Sequence, residues 1–439
     1  MNRQFKMLVI SGSTCLVAML LFGAMLGQGA DTQSSDPYRH IHVYTEVFSR
    51  IKSDYVEEPD MKTVTLGAIN GLLVSLDPFA SYLNSDQYKQ YLKSKESSRA
   101  NVGLVLSRKY GAEVSVVDAI PGSPADKAGL TTGDIIEAIN GVSTRDMPLA
   151  FAGLMLEGDA GTNVDLTVLR LRRPEPAKIT LTRAVVNLPA VESKTIEGQV
   201  GYVKAAALDP ARVKAVAKAV SELSRQGMQK LILDLRHASV GAPEDGVELA
   251  KLFLEKGRIG SLKGQKIAEQ TFEADPSKVI FKGPMVVLTN RGMVGGSEVA
   301  ASALIENKRA SGVGERTYGD AALRKPVPTG DGGAILLAVA KYFNPGGKAI
   351  QEVAVTPTVA VLDAADDADG DDAASPGAQT APATPRPAGE DAILKKALEI
   401  LAKGLPADGK TAAAGMKPPA EPEKPLTPLG IPKPPGKSN

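Results

Sequence analysis

Apolar residues between positions 38 and 95 recur every three or four residues, with polar residues between them. This spacing predicts amphipathic helices. A second helix should cover Thr65–Leu76, because Pro78 blocks its continuation, and a third should cover Asp86–Lys95. The first helix carries its apolar residues at Ile41, Tyr44, Val47, Phe48 and Ile51.

Between about Asn101 and Val186 the pattern changes to short alternating stretches separated by turn residues, which predicts a small β-rich domain. A short helix should open at Pro121–Ala125, and Asn140-Gly141 is typical of a tight hairpin turn. The predicted strands are Val102–Leu106, Val114–Val117, Ile135–Ile139, Val164–Leu171 and Lys178–Leu181.

From Val200 to about Val361 strand and helix patterns alternate, which favours an α/β core. The run Leu231–Leu235 is almost wholly apolar, as expected of a strand buried on both faces. The predicted helices are Val213–Leu223, Gly246–Leu254 and Glu298–Asn307. The predicted strands are Val200–Lys204, Leu231–Leu235, Pro284–Thr289, Ile335–Ala340 and Val353–Val355.

The two ends of the chain have a different composition. Arg3 and Lys6 precede an apolar run from Met7 to about Leu26, which predicts a signal peptide or a membrane anchor within residues 1–30. Basic residues on the N-terminal side orient the rest of the chain outward, so we expect it in the periplasm or on the outer face of the inner membrane. Residues 363–439 are rich in Ala, Pro and charged residues and should be mostly disordered, with a short helix near 391–404.

Composition excludes several classes of function. The chain has 439 residues, enough for two or three domains, and its 51 Lys and Arg nearly balance 50 Asp and Glu. The lack of a basic stripe with interleaved aromatics argues against nucleic-acid binding. The single cysteine, Cys15, cannot form a disulfide within the chain. With three histidines, His40, His42 and His237, we predict neither a metal site nor a cofactor.

The segment Pro121–Gly141 resembles the middle of a bacterial PDZ domain, because helix, turn, strand and turn residues occur in register. The resemblance implies that an extended C-terminal peptide is added as a strand, with its carboxylate on backbone N–H groups of a loop. Here that loop would be residues 101–104. Members of the family often have glycine where Asn101 stands, so carboxylate capture should be weaker. The implied peptide-binding residues are Val102, Gly103, Leu104 and Val105.

A longer series of motifs resembles the C-terminal processing peptidases, also called tail-specific peptidases. The motifs are Ser75–Tyr82, Leu231–Arg236, Val313–Gly319, Ala340–Gln351 and Thr356-Pro357. The resemblance implies a multidomain α/β protein. Its expected parts are an N-terminal helical region (31–97), a PDZ domain (98–186) and an α/β peptidase-like core (187–362).

That family consists of serine endopeptidases that use a serine–lysine dyad. The resemblance places the nucleophile two residues before Ser297, at Gly295, and the lysine directly after Tyr318-Gly319, at Asp320. The glutamine that orients the lysine would fall at Arg324. Glycine offers no nucleophile, and aspartate cannot replace a neutral lysine as base.

The oxyanion loop also departs from the family. An Asn-Pro-Gly-Gly run is usual after the strand, whereas residues 237–241 read His-Ala-Ser-Val-Gly. We therefore expect a proteolytically inactive homologue that binds peptide ends through its PDZ domain or acts as a scaffold, and an active paralogue is one conceivable partner.

The alternative is an active enzyme with a rewired site, in which Ser297 is the nucleophile and His237 the base. The competing interpretation, which we favour, is that Ser297 caps the helix beginning at Glu298. Lys325 is a further candidate base, but its position beside Pro326 is more typical of a solvated strand end.

Overall fold

The computed structural model describes residues 37–96, 99–109, 113–145, 147–170, 173–362 and 391–403. The predicted signal or anchor segment and most of the predicted disordered tail lie outside these residues. Within the described part of the chain, no helix is both long enough and apolar enough to cross a membrane. The described residues fall into two compact units, divided between Ala68 and Ile69.

The predicted helices are present to within about four residues at either end, and two short helices, Leu149–Leu156 and Ile350–Val353, were not predicted. The helices are α1 (Pro37–Asp54), α2 (Met61–Leu76), α3 (Ser85–Glu96), α4 (Pro124–Lys127), α5 (Leu149–Leu156), α6 (Pro210–Arg225), α7 (Pro243–Lys251), α8 (Gly296–Glu306), α9 (Ile350–Val353) and α10 (Ala392–Lys403).

The strands form three sheets. They are β1 (Ser81–Leu83), β2 (Leu104–Ser107), β3 (Val114–Ala119), β4 (Ile135–Ile139), β5 (Val142–Ser143), β6 (Asn163–Arg170), β7 (Arg173–Thr182), β8 (Glu192–Ile196), β9 (Val200–Lys204), β10 (Lys230–Asp234), β11 (Arg258–Lys263), β12 (Gln270–Glu273), β13 (Met285–Thr289), β14 (Ser311–Gly314), β15 (Ala322–Pro328), β16 (Ala334–Phe343) and β17 (Val359–Ala360).

Strands β2–β7 form the β-rich domain, an antiparallel sheet in the order β2-β3-β4-β6-β7 with β5 paired to β4. Helix α4 starts where Ser123 Oγ accepts the backbone N–H of Asp126 at 3.2 Å and Pro124 supplies the first helical residue. The alternating apolar residues of the strands meet α4 and α5 in one buried cluster that includes Val102, Ile136 and Leu166. In this order, β2 is an edge strand.

The α/β core contains a second sheet in the order β17-β14-β13-β10-β9-β8, whose pairs are parallel except for β8 with β9. Leu231 and Leu233 of β10 join the cluster formed with α6, α7 and α8. Ile232, between them, joins a cluster with Ile393 and Ile400 of α10. Because successive strand residues point to opposite faces, the sheet is covered on both sides, and β10 is buried on both faces as predicted.

The third sheet has the order β1-β16-β11-β12, with β15 also paired to β16. The predicted strand Val353–Val355 is wrong, because Ile350–Val353 forms a helical turn that ends at Ala354 with φ +50°.

The parallel pairing of β10, β13 and β14 brings their carboxyl ends to one edge of the sheet, where open α/β sheets place their sites. The segments that follow these strands are residues 235–242, 290–295 and 315–321.

Candidate functional site

The turn after β13 contains Gly295, the position at which the resemblance expects the nucleophile. Gly295 has φ +66° and ψ −113°, a left-handed conformation that favours glycine, and it directly precedes α8. A Cβ atom added at Gly295 would lie 3.2 Å from the carbonyl oxygen of Gly241 and 3.8 Å from that of Asp320. The fold therefore brings the two expected dyad positions together beside the loop after β10.

Glu298 ties these positions into one frame. Its side chain is fully buried and accepts the backbone N–H groups of Gly295 at 3.1 Å, Gly319 at 2.6 Å and Asp320 at 2.8 Å, together with the hydroxyl of Thr317. Burial raises the pKa of Glu298 to about 7, while the hydrogen bonds from Thr317, Asp320 and Gly319 act in the opposite direction. The backbone around both expected dyad positions is thus held by a single carboxylate.

Asp320, where the resemblance expects the lysine, pairs with Arg324, where it expects the orienting glutamine. Asp320 Oδ1 lies 2.5 Å from Arg324 Nη2 and Oδ2 lies 3.1 Å from Nη1. The Arg324 guanidinium also stacks over the Phe79 ring at 4.4 Å and lies 3.9 Å from Asp77. Burial raises the pKa of Asp320, and the charge of Arg324 acts against that rise. The residues at these two positions therefore form a charge pair.

The loop after β10 binds the β-rich domain. His237 Nδ1 lies 2.8 Å from Asp118 Oδ1, and the Ser239 hydroxyl donates to Asp118 Oδ2 at 2.7 Å. Asp118 lies on β3, beside a bulge in the pairing of β2 with β3, and is 2% exposed. A Cβ at Gly292 would lie 2.9 Å from Asp118 Oδ1, so this glycine permits the close approach. Both oxygens of one buried carboxylate are thus bound by residues that stand in the expected oxyanion loop.

The protonation state of His237 follows from its partners. Asn290 Oδ1 accepts the backbone N–H of His237 at 3.0 Å, so its amide group donates to His237 Nε2, 3.1 Å away. Nε2 is therefore an acceptor, and the ring proton lies on Nδ1, toward Asp118. Burial lowers the pKa of His237, but the hydrogen bond and charge of Asp118 outweigh it and raise the pKa overall.

Ser297 lies inside α8, since the helix begins at Gly296 and its N-cap is Gly295. The predicted capping role of Ser297 is therefore wrong, because the sharp glycine turn starts the helix two residues before Glu298. Its hydroxyl is 1% exposed and lies 2.7 Å from the Ala238 carbonyl and 3.1 Å from that of Val294. Ser297 thus ties α8 to the loop after β10, and its proton is directed at main-chain oxygens and not at His237. Lys325 is exposed on β15.

Two further contacts join the β-rich domain to the segment before Asp320. Lys109 Nζ donates to the Tyr318 carbonyl at 2.6 Å, and the Tyr318 hydroxyl is hydrogen-bonded to Ser107 Oγ. Burial lowers the pKa of Lys109. Sequence reasoning missed both Lys109 and Asp118. Asp118 could have been noticed as an acidic residue within an otherwise apolar strand, whereas nothing in the sequence distinguishes Lys109.

The expected peptide edge lies at the start of β2. Val102 is fully buried, so its side chain belongs to the core of the domain, while Leu104 and Val105 are half-buried. Ile120 N–H donates to the Gly103 carbonyl at 2.8 Å, and Leu104 is paired with Ala119. In an antiparallel ladder this leaves Leu104 N–H and C=O on the side away from β3. An extended chain could therefore hydrogen-bond to β2 there.

Two family models match the chain. Peptidase family S41 matches residues 199–361, and a PDZ domain matches residues 115–170. The described residues hold no cluster of His, Cys, Asp and Glu that could bind a metal ion.

Similar proteins carry one activity in their names. A carboxy-terminal-processing protease of Bartonella bacilliformis is 30% identical over 74% of this chain and 75% of its own length. The carboxy-terminal processing protease CtpA of Bacillus subtilis is 29% identical over 82% of this chain and 78% of its own length. Among solved structures, a photosystem II D1 C-terminal processing protease superposes with a TM-score of 0.60 at 27% identity, covering 73% of this chain and 92% of that one.

Proposed function

The chain belongs to peptidase family S41, together with the carboxy-terminal processing proteases, and we propose that it is a proteolytically inactive member that binds peptides or acts as a scaffold in the cell envelope. The observation that carries this proposal is the pair Asp320–Arg324. A serine nucleophile needs a base that can take its proton. Here the position of the base carries a buried carboxylate that is already committed to an arginine.

The charges of Asp320 and Arg324 neutralise each other, so the proposed inactive site is also a stable one. Asp320 without Arg324 would be a buried carboxylate that lacks its hydrogen-bonded counter-charge, at a cost of several kcal/mol. Together they give a bidentate pair with packed neighbours. Gly295 meanwhile offers no side chain to attack a carbonyl.

The loop after β10 is the second support. Its substituted residues His237 and Ser239 bind Asp118 of the β-rich domain. Losing one oxyanion donor typically lowers kcat by about a hundred- to a thousandfold. The loop thus holds two domains together, a role that does not require catalysis.

The alternative, an active enzyme that uses Ser297 and His237, is opposed by their hydrogen bonds. A serine–histidine pair requires the hydroxyl to donate to the imidazole. The Ser297 hydroxyl donates to the main chain, and His237 Nε2 already accepts a hydrogen bond from the Asn290 amide. Both groups would have to abandon these partners before they could react.

The PDZ domain supplies the remaining function. Peptide binding by addition of a strand to β2 is independent of the peptidase chemistry. The protein acts in the periplasm or on the outer face of the inner membrane, because of the basic and apolar pattern of residues 1–30. Its proposed ligands are the C-termini of proteins or peptides, and an active paralogue is a second class of partner.

The test is incubation of the purified protein with an unstructured substrate that has an apolar C-terminus, followed by mass spectrometry. We expect no new peptide ends and no labelling by a serine-directed phosphonate. The Ser297→Ala variant is the matched control. Turnover by the wild type that Ser297→Ala abolishes would contradict the proposal and establish the rewired site.

A further inference from the structure

The loop that should receive a peptide carboxylate is already occupied by a side chain of this protein. Asn101 Oδ1 accepts the backbone N–H of Gly103 at 2.8 Å. Gly103 is the middle of the three residues 102–104, whose successive N–H groups make the anion-binding concavity of such a loop. A neutral amide oxygen therefore takes the donor that a carboxylate oxygen would need.

The arrangement is held firmly in place. Asn101 exchanges two backbone hydrogen bonds with Ala184, both of 3.0 Å. Gly103 lies so close to α4 that a Cβ there would be 2.2 Å from Ser123 Cβ. The carbonyls of Val102 and Gly103 accept the N–H groups of Ala125 and Ile120 at 2.9 and 2.8 Å. Because both flanks are pinned, the loop cannot move away from the Asn101 side chain, and a carboxylate must displace it.

Among the described residues, the edge of β2 remains open from Leu104 onward. Leu104, the last residue of the loop, keeps its N–H and C=O on the side away from β3, so main-chain pairing there does not need the N–H of Gly103. A surface cleft of about 640 Å³ adjoins the loop at Ala100, and its lining includes Lys93, Arg99 and Gly158. A bound polypeptide that continues past the loop therefore has space in this cleft.

We propose that the ligand of β2 is an extended segment within a polypeptide chain, recognised through its main chain, and that Asn101 removes the preference for a free C-terminus. This inference rests on the proposed peptide-binding function and corrects the ligand class that the family resemblance implies. Affinity then comes from strand pairing and side-chain contacts, and the terminal carboxylate adds nothing.

The test compares three forms of one fluorescent peptide, about twelve residues long with alternating apolar and polar residues. The forms are the free acid, the C-terminal amide and a version extended by Gly-Ser-Gly-Ser. Binding to the full chain is measured by fluorescence anisotropy. We expect the wild type to bind all three with dissociation constants within about threefold of each other.

Three variants sharpen the test. Asn101→Gly frees the Gly103 N–H, so it should bind the free acid about tenfold more tightly than the amide. Asn101→Asp keeps an oxygen on that N–H and adds a negative charge, so it should bind the acid less well than the amide. Asn140→Gly is the control, because Asn140 Oδ1 accepts the Asp165 N–H at 3.0 Å elsewhere in the same domain. It should behave as the wild type does.

The outcomes separate this inference from the function on which it rests. If the wild type binds the free acid at least about tenfold more tightly than the amide, the inference is overturned while peptide binding stands. The same holds if neither Asn101 variant changes the ratio of acid to amide affinity. If no form of the peptide binds to the wild type, both the inference and the peptide-binding function are overturned.

Discussion

Gly103 in the β-rich domain and Gly295 in the α/β core both have a positive φ, +79° and +66°, but their surroundings differ. At Gly103 a Cβ would lie 2.2 Å from Ser123 Cβ, which no packed structure tolerates. At Gly295 the nearest atom, the Gly241 carbonyl oxygen, would be 3.2 Å away, and the loop can relieve this by moving a few tenths of an ångström. Packing therefore requires glycine at position 103, whereas at position 295 only the backbone conformation favours it.

This difference bears on the proposed loss of the catalytic side chains from the core. The space for a side chain at position 295 has not collapsed, because Glu298 still holds the backbone of Gly295 and of Asp320. On the proposed inactivity, the chemistry was removed by changes at a few side chains while this backbone arrangement was kept. The peptide edge of β2, by contrast, depends on a tightly packed glycine, as a functional loop does when its geometry matters.

Substitution at Gly103 should produce the largest effect. Gly103→Ala combines a steric clash with a left-handed φ, and we expect it to destabilise the protein by about 2–4 kcal/mol and to abolish peptide binding. Gly122→Ala is the matched control, because Gly122 has φ +82° but nothing within 4 Å of its added Cβ. It should lose only about 1 kcal/mol. Urea-unfolding midpoints measure both, and equal losses would show that packing does not fix Gly103.

Glu298→Gln tests the frame around Gly295. Replacing one carboxylate oxygen by an NH₂ group sets two N–H donors against each other, so we expect a loss of about 2–3 kcal/mol at neutral pH. The pH dependence should change as well. The pKa of Glu298 is raised from 4.5 to about 7 in the folded protein, so between these values the native state holds a proton that the unfolded state has lost.

The sign of this linkage is that stability falls as pH rises from 4.5 to 7, and then levels off. Unfolding free energies of the wild type at pH 5 and pH 8 should differ by at most about 3 kcal/mol from this group. Glu298→Gln should flatten that slope, whereas Glu352→Gln, at an exposed glutamate paired with Lys341, should leave it intact. If the unfolding free energy of Glu298→Gln depends on pH as that of the wild type does, the Glu298 carboxylate stays ionised between pH 5 and pH 8 and the prediction is wrong.

The sequence predicted the local elements better than the contacts between them. The bounds of Ile135–Ile139 and Val200–Lys204 are confirmed, because hydrophobic patterning fixes such strands. The pairing of Asp118 with His237 joins residues far apart in sequence and could not be read from either segment alone. The pairing of Asp320 with Arg324 is equally hidden, since four residues of extended strand span about 13 Å. A bulge between Leu323 and Arg324, together with the position of Asp320 before the start of β15, lets the two side chains meet.

Restoring the expected dyad should produce the smallest change in activity. Gly295→Ser with Asp320→Lys should recover little peptidase activity, and it should cost several kcal/mol of stability, because the new lysine meets Arg324 without the counter-charge of Asp320. The new lysine would face Arg324, whose charge favours the neutral amine but repels the side chain from the serine. The loop after β10 would also remain bound to Asp118.

A quintuple variant that adds Arg324→Gln, Ala238→Asn and Val240→Gly removes the like charge and restores the expected oxyanion residues, so it should be far more active than the double variant. Cleavage of an unstructured substrate, followed by mass spectrometry, compares the two. Robust cleavage by the double variant would show that the loop is not defective, and a folded but inactive quintuple variant would contradict the assignment of Gly295 and Asp320 to the dyad.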